Sequence, residues 1–301
     1  MKYLAKLIVV LSCSIFLSGY SSVEQLEINY AHNYVDDENV LLDSEIDDLY
    51  QGAVAIVEQD LAFASSAIKK DLDEIEEVFL SLGDDISFYY YNIETGFQYG
   101  FNSDKAYIGA SVGKVFYDYF LYTQDEIESI TLSEQERSWI QQTLRYSLDE
   151  FSNNLTARYG VVEYNNWLEK KGINILQAQE RHFGLSTRLT AAEASLLMHR
   201  IYHYFRTDTP NAVEFRENMI NNQVPFIVSN SYEVASKTGW LVSYDIRHDV
   251  AIIEAPSPYI LVILSQNPKI SNDYLYYFEL LSSLFEDFNN KWFVEGNLID
   301  G

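Results

Sequence analysis

Ala110-Ser111-Val112-Gly113-Lys114 is the stretch on which the reading of this chain turns. It sets a serine and a lysine three positions apart, where a hairpin pattern gives way to a helical one. Residues three apart on a helix share a face, with Cβ atoms about 5–6 Å apart. A serine hydroxyl attacks poorly until a neighbouring base takes its proton. A lysine can be that base only when burial or nearby charge lowers its pKa. Val115 to Tyr122 continues as an apolar, aromatic helix, a setting that buries Lys114. As a string, Ser-x-x-Lys is common. A second copy, Ser66-Ala67-Ile68-Lys69, lies inside a long amphipathic helix read from Gln51 to Leu82, and we take it as helix surface.

Working outward, that first helix shows Leu61, Phe63, Ile68, Leu72, Ile75, Val78 and Leu82 at helical spacing, and Gly83 ends it. Ile86 to Tyr91 and Phe97 to Phe101 read as two strands around an Asn92-Ile93-Glu94-Thr95-Gly96 turn. From Thr131 to about Asn222 the pattern is helical, broken at Gly160, Gly172 and Gly184. Within it, Thr187 to Glu193 reads as a capped start for a helix reaching Phe205. After Pro225 strands return, at Val234–Lys237, His248–Glu254 and Tyr259–Gln266, with Pro256-Ser257-Pro258 as a turn. Ser271 to Phe288 reads as a closing helix. Strands early, helices in the middle and strands late predict an α/β (α+β) fold. An antiparallel sheet is flanked by helices, with a helical subdomain inserted over about 118–225.

The net charge of −25 over 301 residues argues against nucleic acid and against anionic membrane surfaces. Met1 to Ser22 carries Lys2 and Lys6, an apolar run from Leu7 to Leu17, and small residues at Gly19 and Ser21. That is a signal peptide or a membrane anchor. Leu17-Ser18-Gly19-Tyr20 resembles a lipobox, but Tyr20 stands where a lipidated cysteine is required. Glu24 to Asp60 holds eleven acidic residues and no Lys or Arg, so residues 23–50 read as an acidic linker before a catalytic domain over 51–301. The only cysteine, Cys13, lies in the leader, which leaves the mature chain without a disulfide or a thiolate ligand. An extracytoplasmic, bacterial location is expected.

Two further polar triplets follow Ser111: Ser152-Asn153-Asn154, read as lying between helical stretches, and Lys237-Thr238-Gly239, read as ending a strand. Ser-x-x-Lys, then Ser-x-Asn, then Lys-Thr-Gly, in that order, is the signature of class A β-lactamases and penicillin-binding proteins, and over roughly residues 55–290 the chain resembles that family. The resemblance implies roles. Ser111 attacks a carbonyl and Lys114 takes its proton. Ser152 relays a proton to the leaving nitrogen, aided by the charge of Lys237. Asn154 holds a substrate amide and Lys114. Thr238 binds a substrate carboxylate beside Gly239, and Arg247, ten residues after Lys237, is a second carboxylate ligand. The backbone N–H groups of Ser111 and Trp240 form the oxyanion hole.

The chain also departs from the family. The omega-loop Glu-x-x-Leu-Asn motif, whose Glu activates the deacylating water, is missing between Asn154 and Thr190. Glu163-Tyr164-Asn165-Asn166 lacks the Leu and falls in a helical stretch, and Glu180 lacks the pattern around it. The 41 residues from Ser111 to Ser152 and the 85 from Ser152 to Lys237 are short for the family, so the helical subdomain is trimmed. His182, His199, His203 and His248 make no metal-ligand spacing, and no metal or organic cofactor is expected. Asn154-Leu155-Thr156 is a glycosylation sequon of no meaning in a bacterial protein, and the Tyr-rich Tyr89-Tyr90-Tyr91 is read as sheet packing.

The resemblance therefore implies an exported, monomeric serine hydrolase that forms an acyl-enzyme with a small-molecule β-lactam or a D-Ala-D-Ala-like substrate. One alternative is a D,D-carboxypeptidase or esterase on cell-wall peptides with slow β-lactam turnover. Another is a non-catalytic cell-wall binding protein, although binding alone requires neither lysine.

Overall fold

The computed structural model describes residues 61–171, 173 and 187–295, with side chains from residue 68. The leader, the acidic linker, Glu180 and His182 lie outside the described residues.

Helix α1 (Leu61–Leu82) leads into strands β1 (Ile86–Asn92) and β2 (Gln98–Phe101). Gly83 adopts φ +106°, a left-handed conformation that glycine reaches at no steric cost, and stops the helix. The hairpin turn is held by Asn92, whose Oδ1 accepts from the backbone N–H and the hydroxyl of Thr95. Three elements from the far end of the chain complete the sheet: β5 (Val234–Leu241), β6 (Ile246–Ile253) and β7 (Tyr259–Gln266). The order is β2-β1-β7-β6-β5, antiparallel throughout, so the two ends of the chain meet where Tyr89 faces Val262.

Between the two halves of the sheet run the helices α2 (Gly113–Glu126), α3 (Glu134–Tyr146), α4 (Asp149–Tyr159), α5 (Val162–Lys170), α6 (Ala191–Phe205) and α7 (Pro210–Ile220). Thr190 caps α6 by accepting from the N–H of Glu193. Every residue of β1 is buried, because both faces of the sheet are covered. Tyr89, Tyr91, Val250 and Val262 point to a core with α2 and α6; Phe88, Tyr90, Ala251 and Ile263 point to a second core with α1 and the C-terminal helix. The Tyr-rich strand is sheet packing, as its alternation requires.

Three local expectations are corrected. The β5 strand runs on through Lys237-Thr238-Gly239 to Leu241. The closing helix is two pieces, α8 (Pro268–Asn272) and α9 (Tyr274–Asn289), because Asp273 leaves helical geometry at φ −137°. Ser152-Asn153-Asn154 lies within α4 and not between helices. In addition, β3 (Tyr107–Ile108) and β4 (Arg188–Leu189) form a small second sheet that periodicity could not show in two-residue segments.

Candidate active site

Ser111 sits in a 3-10 turn, Ala110–Val112, that opens α2. Several contacts hold this turn. Gly109 N–H donates to Thr187 O at 2.8 Å. His248, fully buried on β6, contacts Ile108 O through Nε2 at 2.9 Å and accepts at Nδ1 from the N–H of Ser265. An N–H donor at Nδ1 leaves the ring proton on Nε2, so the imidazole is neutral; burial depresses it to about 4. Ala110, just before Ser111, has φ +47°, a conformation costing a non-glycine residue about 1–2 kcal/mol.

Strand β5 is the edge of the sheet, and it backs against this turn. A methyl group at Gly239 would lie 2.9 Å from both the Ser111 and Val112 backbone nitrogens. That approach is the physical reason for a glycine after Lys237-Thr238. It also brings β5 against the backbone N–H of Ser111.

The two lysines converge behind the turn. Lys114 is nearly buried on the first turn of α2, and its Nζ donates to Ser147 O at 3.1 Å and to Asp149 Oδ1 at 2.5 Å. Lys237 is fully buried on β5, and its Nζ donates to Ser147 Oγ and to Thr238 O, both at 2.7 Å. Lys114 is held below the usual lysine range, because burial outweighs the opposing pull of Asp149 and then of Asp118. Lys237 is pulled down to about 7, by burial first and then by Lys114. Asp118, one turn beyond Lys114 on α2, is buried with its Oδ2 unpartnered, and burial raises it well above the carboxylate range.

The serine that meets both lysines is therefore Ser147 and not Ser152. Ser147 ends α3 in left-handed geometry (φ 60°, ψ 29°), and after the extended Leu148, α4 starts at Asp149. The connection between the helices falls five residues earlier than the triplet suggested. Ser152 is buried inside α4, and Asn154 lies one further turn-half along the same helix, while Lys114 meets Asp149. The stretch that contacts the lysines is Ser147-Leu148-Asp149, a Ser-x-Asp. A search for Ser-x-Asn passes over it, and only the left-handed residue at the helix junction signals it.

The remaining expected ligands are placed as follows. Thr238 is fully buried with no partner for its hydroxyl. Arg247 is buried, opposite Trp240 on the neighbouring strand, with its guanidinium 5.1 Å from the Tyr274 ring centre and Nη1 donating to Ile246 O. Trp240 is half-buried against Phe226. Lys69 is exposed on α1, as a surface position should be. His199 and His203 form a hydrogen-bonded pair, Nε2 to Nε2 at 3.0 Å, with His199 against Tyr91. Among the described residues no group of three or more His, Cys, Asp or Glu could hold a metal, and no helix is long and apolar enough to cross a membrane.

With this geometry in view, comparisons with known proteins bear on the fold. The model of the Beta-lactamase enzyme family matches residues 149–277. The fold is similar to a β-lactamase from Chitinophaga pinensis (TM-score 0.63, 12% identity, 72% of this chain and 98% of that one). It is similar also to one from Xanthomonas campestris pv. campestris (TM-score 0.60, 14% identity, 74% and 97%). A class A β-lactamase from Mycobacterium abscessus follows at TM-score 0.55 and 16% identity, covering 73% and 99%. No curated protein matches the chain. At these identities the structural likeness speaks for the fold. The fold is that of the class A β-lactamases, and the Beta-lactamase enzyme family model matches the stretch of it from residue 149 to residue 277.

Proposed function

We propose that the chain is an exported acyl-transferring hydrolase, with Ser111 as nucleophile, acting on a β-lactam or a D-Ala-D-Ala-like amide. The observation that carries this reading is the convergence of two buried lysines on Ser147, directly behind a turn whose Ser111 N–H faces Gly239. Ser111 Oγ attacks the carbonyl carbon and passes its proton to Lys114, whose burial favours the neutral amine that can accept it. Ser147 Oγ gives its proton to the leaving nitrogen as the C–N bond breaks, and Lys237, donating to the same oxygen, stabilises the charge that develops there. Water then cleaves the ester and restores Ser111. Backbone N–H groups at Ser111 and Trp240 serve the oxyanion, and the orphan hydroxyl of Thr238 is reserved for a substrate polar group. No step in this scheme draws on a metal or an organic cofactor.

A second reading, a D,D-carboxypeptidase or esterase with slow β-lactam turnover, is favoured by the missing Glu-x-x-Leu-Asn motif. Intact-protein mass spectrometry with a penicillin, beside Ser111→Ala, separates the two. An adduct on the wild type that decays quickly supports a β-lactamase, and one that persists supports the second reading. No adduct on either protein removes Ser111 as a β-lactam nucleophile and leaves a wall-binding role. The leader and acidic linker would carry this domain outside the cytoplasm, as a monomer. N-terminal sequencing of the exported protein tests that placement: a start near residue 22 indicates cleavage, and retention of Met1 in the membrane fraction indicates an anchor.

A further inference from the structure

Where the Ser-x-Asn pattern has an amide, the residue two after Ser147 is a carboxylate. Asp149 follows Ser147 by two residues, and the two together hold both buried lysines. An amide both donates and accepts hydrogen bonds; a carboxylate only accepts. Of the Asp149 side chain 83% is exposed, against 4% for Lys114. One oxygen is thus engaged with the lysine while most of the group faces open solvent at the edge of the site. Among the described residues Lys114 is its only salt-bridge partner. Asp149 also opens α4, whose N-terminal N–H groups favour a negative charge there. The anion is stabilised locally, and it is left free to meet whatever sits beside the reacting carbonyl.

We propose that Asp149 makes this site select acyl groups that present a cation or an N–H donor beside the scissile carbonyl, and reject acyl groups that present an anion there. This rests on Ser111 being the nucleophile. The substrate class it names is an amide whose acyl portion bears a protonated amine. A charge pair at this exposed position, partly screened by water, changes relative rates by about tenfold.

The probes are three penicillins with one bicyclic nucleus and phenylacetyl side chains bearing an α-amino, an unsubstituted α, or an α-carboxy group. Acylation rates are read by intact mass on the full chain, in mildly acidic buffer that keeps the amine protonated, at low and high salt. The wild type is expected to favour the α-amino over the α-carboxy compound by about tenfold, and this ratio is expected to shrink severalfold in high salt and in Asp149→Asn. Asp149→Asn also removes the counter-ion of Lys114, but that effect is common to all three compounds and cancels in the ratio. Asp149→Glu, which keeps the charge, should keep the order. A ratio near one in the wild type, or one unchanged in Asp149→Asn, overturns the proposal. Should Asp149→Asn fail to fold, a wild-type ratio indifferent to salt overturns it equally. Acylation by none of the three compounds sinks the nucleophile assignment itself and the proposal with it; that result is an absolute loss and not a flat ratio.

Discussion

Gly239→Ala tests whether the approach of β5 to the nucleophile turn matters. The added Cβ would lie 2.9 Å from Ser111 N, 2.9 Å from Val112 N and 3.0 Å from Val112 Cγ2. Two of these atoms are backbone, so no flexible side chain can swing aside. Gly239 has no positive φ, so the whole cost comes from this contact. Overpacking of this kind costs about 1–3 kcal/mol. At about 2–4 °C per kcal/mol for a domain of this size, the expected fall in Tm is roughly 2–12 °C. The chemistry should suffer more. Relief by movement of the turn displaces the Ser111 N–H; relief by movement of β5 displaces the Trp240 N–H. Misplacing one oxyanion donor costs about 10²–10³ in rate. The assay pairs thermal melting with acylation followed by mass, both below the variant's melting point. Acylation within about twofold of wild type, with Tm moved by no more than about a degree, would refute the argument that Gly239 positions the oxyanion hole.

Ser147→Ala removes the side-chain acceptor of Lys237 and should slow acylation by about 10²–10⁴, the usual worth of a positioned proton donor, whereas Ser152→Ala, inside α4, should leave it within a few-fold; the reverse outcome in the same mass assay would restore Ser152. His248, held near 4 against 6.5 unfolded, binds no proton in the folded chain over a range where the unfolded chain does. Its contribution is therefore intact above about pH 6.5 and lost as pH falls toward 4, by about 3 kcal/mol in all. Denaturant melts across that window should be steeper for wild type than for His248→Gln, and equal slopes would contradict a buried neutral imidazole. Arg247→Ala removes a guanidinium from the face of Tyr274 and should lower stability by about 0.5–2 kcal/mol. An unchanged denaturation midpoint would show that the contact contributes nothing.

Much of the site was legible because it is local. Ser111 and Lys114 share one turn, and Lys237, Thr238 and Gly239 share one strand, so order and spacing suffice to find them. His248 was not legible, since its work is done across the sheet, on Ile108 and Ser265. Nor was Asp118, whose burial beside two lysines depends on where β5 arrives.

The sequence by itself determined the mixed sheet-and-helix architecture, the helix that opens after Ser111 and the Lys-Thr-Gly strand, because period-2 and period-3.6 patterns and short motifs are properties of neighbouring residues. Only the tertiary structure decided which serine completes the site. Lys237 and Ser147 are 90 residues apart, and they meet because Ser147 takes a left-handed turn between two helices and so presents its hydroxyl and its carbonyl to the two buried ammonium groups. A buried charge takes whichever polar partner the packed chain places within reach. Here that partner is the Ser-x-Asp at the helix junction, and the triplet matching the family string, five residues later, is enclosed in a helix.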